Sequence, residues 1–374
     1  MPVIKGKLAA KRLGVAVVAG LVMSAAAMPC LAGASTNNVS VVGYSVVGPA
    51  FKALEAAFEA TPAGSGVTFS NSFGSSDTET NNVANGQAAD VVNLSYASNL
   101  ATLVTANKVP ANWSSQELSI AGVNTSLSGS KQQTMYKTPG ILTDSVVVFV
   151  VRKGNPLNIK TWSDLVKSGV RVVTPNPATS GSAKWNLLAG YASQLAKGDK
   201  GPQAFAYLKS LLAHTVAQPS SGSTSLAAFL GGTGDVLLDY EDDAIAAQNA
   251  GDAISIVTPP QTLLIENPIA LTNTGITNPA AEAFYKFAFS VAGQNILANL
   301  GYRSVLTHVW LTTAFKFPAF KSPTDLYTIG QLSKGGWATL DPTFFSTNVT
   351  FPSNSNQYPN QGIITYLEQF AGTA

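Results

Sequence analysis

Strand-like and helix-like segments alternate along most of the chain, and this alternation restricts the fold more than any other feature. Val39 to Tyr44 is an apolar, β-branched run, and the segment after it has Phe51, Leu54 and Phe58 at helical spacing. The same order recurs up to an apolar strand predicted at Asp235 to Tyr240. Alternating strands and helices predict an α/β fold, with parallel sheets covered by helices on both faces.

Three of the turns that lead from a predicted strand into a helix are rich in Ser and Gly. They are Gly74–Ser76, Thr179–Ser182 and Ser220–Ser223. Ligands of α/β sheets bind at the carboxyl ends of strands, where helices begin. A helix amino terminus exposes unpaired N–H groups and the positive end of the helix dipole, which suits an oxyanion. Three such turns at equivalent positions predict one anion-binding site.

The amino terminus has the order of a secretory signal peptide. An uncharged run from Leu13 to Pro29 follows a basic segment and precedes Ala32-Gly33-Ala34, and the basic residues are Lys5, Lys7, Lys11 and Arg12. We expect residues 1–34 to be a signal peptide that is cleaved after Ala34, which places the mature protein in the periplasm. The alternative is a signal anchor, but the run is short compared with the ~20 residues of a spanning helix.

Cleavage after Ala34 would change both the charge and the cysteine content. It would remove Cys30, the only cysteine, and four cations, which lowers the formal net charge from +2 by four units to −2. Charged residues are 11% of the chain, against about 25% in average domains. We interpret this low content as adaptation to an acidic extracytoplasmic medium. The sequence has no basic stripe of the kind that binds nucleic acid.

Few residues are suited to catalysis or metal binding. The chain has two histidines, His214 and His308, which disfavours a serine-type or metal active site. The acidic run Asp239 to Asp243 lacks the residue pattern of a calcium loop and is interpreted as a polar segment leaving a strand. We therefore expect no enzyme activity, no cofactor and no metal. A secreted hydrolase using Ser180 is the alternative, although no GxSxG elbow is present.

One long segment and several shorter ones resemble a known family. Val173 to Asn186 reads VTPNPATSGSAKWN and resembles the TPNPxxSGxARWN signature of sulfate- and thiosulfate-binding proteins of ABC importers, with Lys184 at the arginine position. The shorter segments are similar to the family's VFLVRKGNP, WxDL, GDVLIAWE and GGW motifs, and they are Val146–Pro156, Thr161–Leu165, Gly234–Glu241 and Gly335–Trp337. The resemblance extends from about residue 39 to 340.

The resemblance implies the fold of type II periplasmic binding proteins, in which two α/β lobes enclose a ligand cleft and two strands cross between them. Crossings near Asp144 and Glu266 give one lobe of residues 36–144 and 267–374, and a second lobe of residues 145–266. The segment from about Trp310 is rich in Pro, Asn and aromatic residues. We expect it to form an irregular extension of the first lobe.

The resemblance also implies the site residues. The family holds its anion without a counter-charge, by backbone N–H groups, serine hydroxyls and a tryptophan. These donors fall on Ser76, Ser180, Gly181, Ser182, Ser221 and Tyr240, with tyrosine at the tryptophan position. Asp77 stands where the family has glycine. Its carboxylate either points away from the ligand or accepts a hydrogen from a protonated oxyanion such as phosphate.

The implied function is that of a monomeric periplasmic receptor that performs no chemistry. It would capture sulfate or thiosulfate and deliver the anion to an ABC permease with a cytoplasmic ATPase. Phosphate and molybdate are alternative ligands. A surface or adhesion protein that uses the polar tail from about Trp310 is a third interpretation.

Overall fold

The computed structural model describes residues 37–116, 139–320, 325–347 and 361–374. They belong to one unit that runs from Thr36 to Ala374. The predicted signal peptide and Cys30 lie outside the described residues, so their prediction is untested. None of the helices in the described part is both long enough and apolar enough to cross a membrane.

The first part of the chain follows the predicted alternation closely. Its elements are β1 (Asn38–Tyr44), α1 (Gly48–Glu59), β2 (Thr68–Gly74), α2 (Ser76–Ala84), β3 (Val91–Asn93) and α3 (Ala97–Thr105). A 3-10 turn at Ser45–Val47 joins β1 to α1, and Pro49 lies in the first turn of α1, where its missing N–H has no cost. Helix α2 begins at Ser76, so this residue lies in its first turn.

The central part contains the longest strands and the helix of the resemblance segment. Its elements are β4 (Ile141–Arg152), a 3-10 helix (Trp162–Val166), β5 (Val172–Val173), α4 (Gly181–Ala196), α5 (Gly201–Ala213), β6 (Thr215–Ala217), α6 (Gly222–Leu230), β7 (Val236–Tyr240), α7 (Glu241–Asn249), β8 (Ile254–Val257) and β9 (Thr262–Leu271). Strand β4 starts five residues before Val146, where the apolar run of the segment similar to VFLVRKGNP begins.

The carboxyl-terminal part is more helical than its composition predicts. It contains α8 (Pro279–Ala288), α9 (Val291–Asn299), β10 (Arg303–Ser304), α10 (Thr307–Thr313), β11 (Leu326–Tyr327), α11 (Ile329–Leu332), α12 (Trp337–Phe345) and α13 (Ile363–Leu367). The aromatic residues here pack against distant helices, since the ring of Phe344 lies 5.1 Å from that of Tyr191. The described residues after Trp310 are thus an ordered segment of short helices.

The strands of the described residues form one mixed sheet with the order β2-β1-β3-β9-β4-β7-β5-β6. Strands β2, β1 and β3 are parallel, as are β6, β5 and β7. Strands β4 and β9 run antiparallel to each other and to their other neighbours on this path. The expected parallel pairing therefore holds for the two outer groups of strands but not for β4 and β9.

Strands β4 and β9 join the two groups of parallel strands. The first half of β4 pairs with β9, including Asp144 with Glu266, and the second half from Val147 pairs with β7. This pairing places the two long strands at the predicted crossing positions. The boundaries of the two lobes remain a prediction.

Apolar clusters cover both faces of β4. Val147, Phe149 and Val151 belong to one buried cluster, and their neighbours Val146 and Val148 belong to another. Because successive side chains of a strand point to opposite faces, a strand covered on both sides is apolar at every position. The uninterrupted apolar run therefore has a physical cause, and the prediction of an α/β architecture is confirmed.

Candidate anion-binding site

The three turns rich in Ser and Gly meet at one place. The hydroxyl of Ser75 donates to the Ser220 carbonyl, and the Thr179 hydroxyl donates to the same carbonyl at 2.8 Å. The backbone N–H of Asp77 donates to the Thr179 carbonyl at 3.2 Å. The amino-terminal turns of α2, α4 and α6 are therefore neighbours, as the sequence predicts.

The first turn of α4 contains three of the predicted site residues. Ser180 and Ser182 are buried, and their hydroxyl oxygens are 2.8 Å apart. A Cβ atom on Gly181 would lie 2.5 Å from Ser95 Cβ and 2.8 Å from Tyr96 Cδ1, closer than real Cβ atoms approach. Glycine thus allows α4 to approach the turn after β3. The N–H groups of this first turn have no acceptor within the helix.

Ser221 stabilises the start of α6 with its own polar groups. Its hydroxyl oxygen accepts from the Thr224 N–H at 3.2 Å, while its N–H donates to the Thr224 hydroxyl at 3.0 Å. Gly222 brings this turn against α4, since a Cβ there would lie 3.3 Å from Ser182 Oγ. The donors of Ser221 are thus used within its own turn, and Gly222 is the residue that faces Ser182.

Two further serines border the site and were missed by the sequence analysis. Ser45 follows β1, and its hydroxyl accepts from the Ser223 N–H at 3.3 Å. Ser95 follows β3, and its carbonyl accepts from Trp185 Nε1 at 2.8 Å. Both lie just after the carboxyl end of a strand, which is the signal that could have identified them. Neither turn has the Ser-Gly clustering on which the prediction relied.

Ser76 is buried, and its hydroxyl is already paired. It accepts from the Ser95 N–H at 2.8 Å and donates to Asn99 Oδ1 at 2.9 Å. A hydroxyl has one proton, so the proton of Ser76 is used by Asn99. The remaining donor of Ser76 is its backbone N–H in the first turn of α2.

Tyr240 ends β7, and its side chain is fully buried. Its ring lies 6.2 Å from that of Tyr44, and its hydroxyl lies near Ser95 and Asn267 without a hydrogen bond of ordinary geometry among the described residues. Burial raises the pKa of this hydroxyl well above its ordinary value, so it stays protonated. A buried donor without an acceptor costs about 1–3 kcal/mol, and a ligand oxygen would supply the acceptor.

The carboxylate of Asp77 binds protein groups. Its Oδ2 lies 3.1 Å from Lys184 Nζ, and its Oδ1 accepts from Asn99 Nδ2 at 2.7 Å and from the Tyr96 hydroxyl at 3.0 Å. Both oxygens therefore have partners, and the negative charge is matched by a cation. This geometry supports the interpretation that Asp77 does not face the ligand.

The acidic run after β7 lies in the interior, although its sequence suggested a polar segment leaving a strand. Glu241 pairs with Arg303 through contacts of 2.6 and 3.0 Å. Asp242 and Asp243 have buried oxygens without partners among the described residues, and burial raises the pKa of each carboxyl to about 7. Across the described ranges, no group of three His, Cys, Asp or Glu residues is arranged to hold a metal ion.

A family model described as bacterial extracellular solute-binding protein matches residues 39–303. The chain belongs to this solute-binding protein family. It is 32% identical over 316 residues to the sulfate-binding protein of Synechococcus elongatus, a match that covers 82% of this chain and 83% of the relative. It is 27% identical over 315 residues to the thiosulfate-binding protein of Pseudomonas aeruginosa, covering 81% and 88%.

A solved structure is also similar to this solute-binding protein. The sulfate-binding protein SubI from Mycobacterium tuberculosis superposes with a TM-score of 0.74 at 38% identity, covering 83% of this chain and 100% of that one. The predicted resemblance to sulfate- and thiosulfate-binding proteins is therefore confirmed, and so is the type II periplasmic binding protein fold. The individual ligand-binding residues remain a prediction.

Proposed function

We propose that this solute-binding protein captures sulfate or thiosulfate in the periplasm and delivers the anion to an ABC permease with a cytoplasmic ATPase. The observation that carries the proposal is the convergence of the amino-terminal turns of α2, α4 and α6 beside the unpaired hydroxyl of Tyr240. The names of the relatives agree with it, since they are sulfate- and thiosulfate-binding proteins.

The proposed ligand contacts are neutral donors. On α4 they are the N–H groups of Gly181 and Ser182 and one of the hydroxyls of Ser180 and Ser182, because the other donates its proton within their pair. The other contacts are the Ser76 N–H, the Tyr240 hydroxyl and the first turn of α6, where Gly222 replaces Ser221 as the donor. Several such donors and three helix dipoles stabilise a dianion without a titrating cation.

The same donors favour an anion without a proton. Phosphate carries a proton at neutral pH and needs an acceptor in the site, whereas sulfate and thiosulfate need donors alone. The carboxylate of Asp77, beside Ser76, already accepts from Asn99, Tyr96 and Lys184. We therefore place phosphate below sulfate in affinity. Molybdate also lacks a proton, so its size, rather than its protonation, must distinguish it from sulfate.

The protein acts as a receptor and performs no chemistry in this proposal. The hydroxyl of Ser180 pairs with that of Ser182. The ring of His214 contacts the backbone carbonyl of Ser210 and not a serine hydroxyl. The described residues give no support to a hydrolase. We further propose that residues 1–34 are cleaved on export, that the mature protein is a monomer with no affinity for nucleic acid, and that its two lobes close around the anion.

Calorimetric titration tests the proposal. The protein is unfolded and refolded to remove any bound ligand, and sulfate, thiosulfate, phosphate and molybdate are titrated separately and in competition. Sulfate or thiosulfate is expected to bind with the highest affinity. The proposal is refuted if every tetrahedral anion has a Kd weaker than about 1 mM, and the order of preference is refuted if phosphate displaces sulfate.

A further inference from the structure

Lys184 is a buried cation in the second turn of the helix that holds Ser180 to Ser182. Its side chain is 8% exposed, and its Nζ lies 3.1 Å from Asp77 Oδ2 and 3.0 Å from Asp341 Oδ1. The ammonium also contacts the Tyr96 hydroxyl and lies over the Tyr96 ring. One ammonium thus meets two carboxylates in an enclosed position, where a charge without a partner is costly.

Asp77, the partner of Lys184, is also held in place by hydrogen bonds to its neighbours. It is the second residue of α2, directly after Ser76, and Asn99 and Tyr96 from the neighbouring α3 region orient its carboxylate. Its backbone N–H donates to the Thr179 carbonyl at 3.2 Å. The first turn of α2 is therefore joined to the loop and first turns of α4 twice, by one backbone hydrogen bond and by one ion pair.

The joined helices belong to different parts of the sheet. Helix α2 packs on β1 and β2, whereas α4 packs on β7, β4 and β9. In the proposed division into lobes, Asp77 and Lys184 lie on opposite sides of the cleft. Opening the cleft would separate the two charges, and closing it would return them to 3.1 Å.

We infer that the Asp77–Lys184 pair is an ion-pair clasp that holds the amino-terminal turns of α2 and α4 in their anion-binding positions. Lys184 is then a positioning residue, since it acts through the turns that touch the anion. The clasp also removes the repulsion that an unpaired Asp77 would exert on a dianion. The inference rests on the proposed function, because it requires a bound oxyanion between the two turns.

The clasp predicts slower release of the anion rather than faster capture. Charge pairs that form on closure add to the barrier for opening, and truncating one partner of such a pair mainly raises the dissociation rate. Asp77→Asn and Lys184→Met should each raise the Kd for sulfate about 10-fold or more, mostly through dissociation. The double variant should bind no more weakly than Lys184→Met alone, because Asp77 has no ion pair left to lose once Lys184 is replaced.

The experiment measures sulfate affinity by calorimetry and dissociation by stopped-flow tryptophan fluorescence. Asp77→Asn keeps the shape of the side chain, and it is the decisive variant if Lys184→Met does not fold. Lys184→Arg should bind sulfate with a Kd within about 3-fold of the wild type, since arginine keeps the positive charge. The matched control is Lys286→Met, which breaks the exposed pair with Glu282 and should leave the Kd unchanged.

The outcomes separate the clasp from the proposed function. Normal sulfate binding by the wild type, with Kd values within about 2-fold for Asp77→Asn and Lys184→Met, would overturn the clasp alone. A lower melting temperature of the ligand-free variants with unchanged Kd would overturn it too, since that pattern is a purely structural role. Absence of anion binding by the wild type would refute the proposed function and the clasp together.

Discussion

Replacing Gly181 with alanine tests whether the close approach of α4 to the turn after β3 is needed for anion binding. The new Cβ would lie 2.5 Å from Ser95 Cβ and 2.8 Å from Tyr96 Cδ1. Ser95 cannot move away easily, because its N–H donates to Ser76 and its carbonyl accepts from Trp185. The first turn of α4 must therefore retreat by roughly 1 Å to reach an ordinary contact distance.

The size of the effect follows from that displacement. Inserting one methyl group into a packed contact costs about 1–3 kcal/mol. If this strain is present only in the closed, anion-bound form, it raises the Kd by about 5–150-fold. If part of it is already present in the ligand-free form, the melting temperature falls as well. The Kd and the melting temperature together show how the strain is divided.

The assay is calorimetric titration with sulfate, accompanied by thermal unfolding with and without the anion. Gly190→Ala is the matched control, because Gly190 lies in the same helix and its added Cβ would be 3.4 Å from the nearest atoms of Leu211 and Trp162. In the helix interior this change should be neutral or stabilise by up to about 1 kcal/mol. The reasoning is wrong if Gly181→Ala binds sulfate within about 2-fold of the wild type.

Three further predictions concern the other parts of the site. Tyr240→Phe should weaken sulfate binding by about 10-fold or more, since it removes a donor to a charged acceptor. It should not lower the melting temperature of the ligand-free protein. Unchanged affinity in calorimetry would contradict the proposed role of the hydroxyl. Ser221→Ala should lower the free energy of unfolding by about 1 kcal/mol through loss of a helix cap, with little change in Kd, and chemical denaturation measures the first quantity. Burial raises the pKa of Asp242 from 3.8 to about 7, so the folded state keeps a proton that the unfolded state releases. Stability should therefore fall by about 1.4 kcal/mol per pH unit between pH 4 and 7 for this group and then level off. Asp242→Asn should flatten the profile measured by thermal unfolding, and a stability optimum at neutral pH would contradict this account.

The sequence predicted the elements well wherever burial produces a regular pattern. The helix faces of α1 and α4 and the strands β1 and β7 have apolar residues at the spacing that the core requires. The direction of β4 and β9 could not be predicted from the sequence, because a strand buried on both faces is equally apolar in a parallel and an antiparallel sheet. The start of β4 was missed since it contains the buried polar residues Thr143, Asp144 and Ser145.

The site was predictable in its local parts and unpredictable in its contacts. Ser180 to Ser182 could be identified because a helix amino terminus rich in Ser and Gly has a direct chemical meaning. The hydrogen bond between Ser45 and Ser223 could not be predicted, since it joins residues that are 178 positions apart. The pairing of Asp77 with Lys184 could not be predicted for the same reason, since these residues are also far apart in the sequence. Because of this pairing, the carboxylate of Asp77 forms a contact between helices instead of repelling the anion.

The carboxylates near the site are neutralised in different ways, and this explains how an anion site can lie beside so many acids. Asp77 and Asp341 share the cation of Lys184, and Glu241 is paired with Arg303. Asp242 has no cation, but burial raises the pKa of its carboxyl to about 7, so it is largely protonated in any acidic medium. The ion pairs and the protonation of Asp242 reduce the negative charge around the proposed site, where helix dipoles and neutral donors stabilise the anion. A change that exposes a single carboxylate would disturb this balance even if no ligand contact were lost.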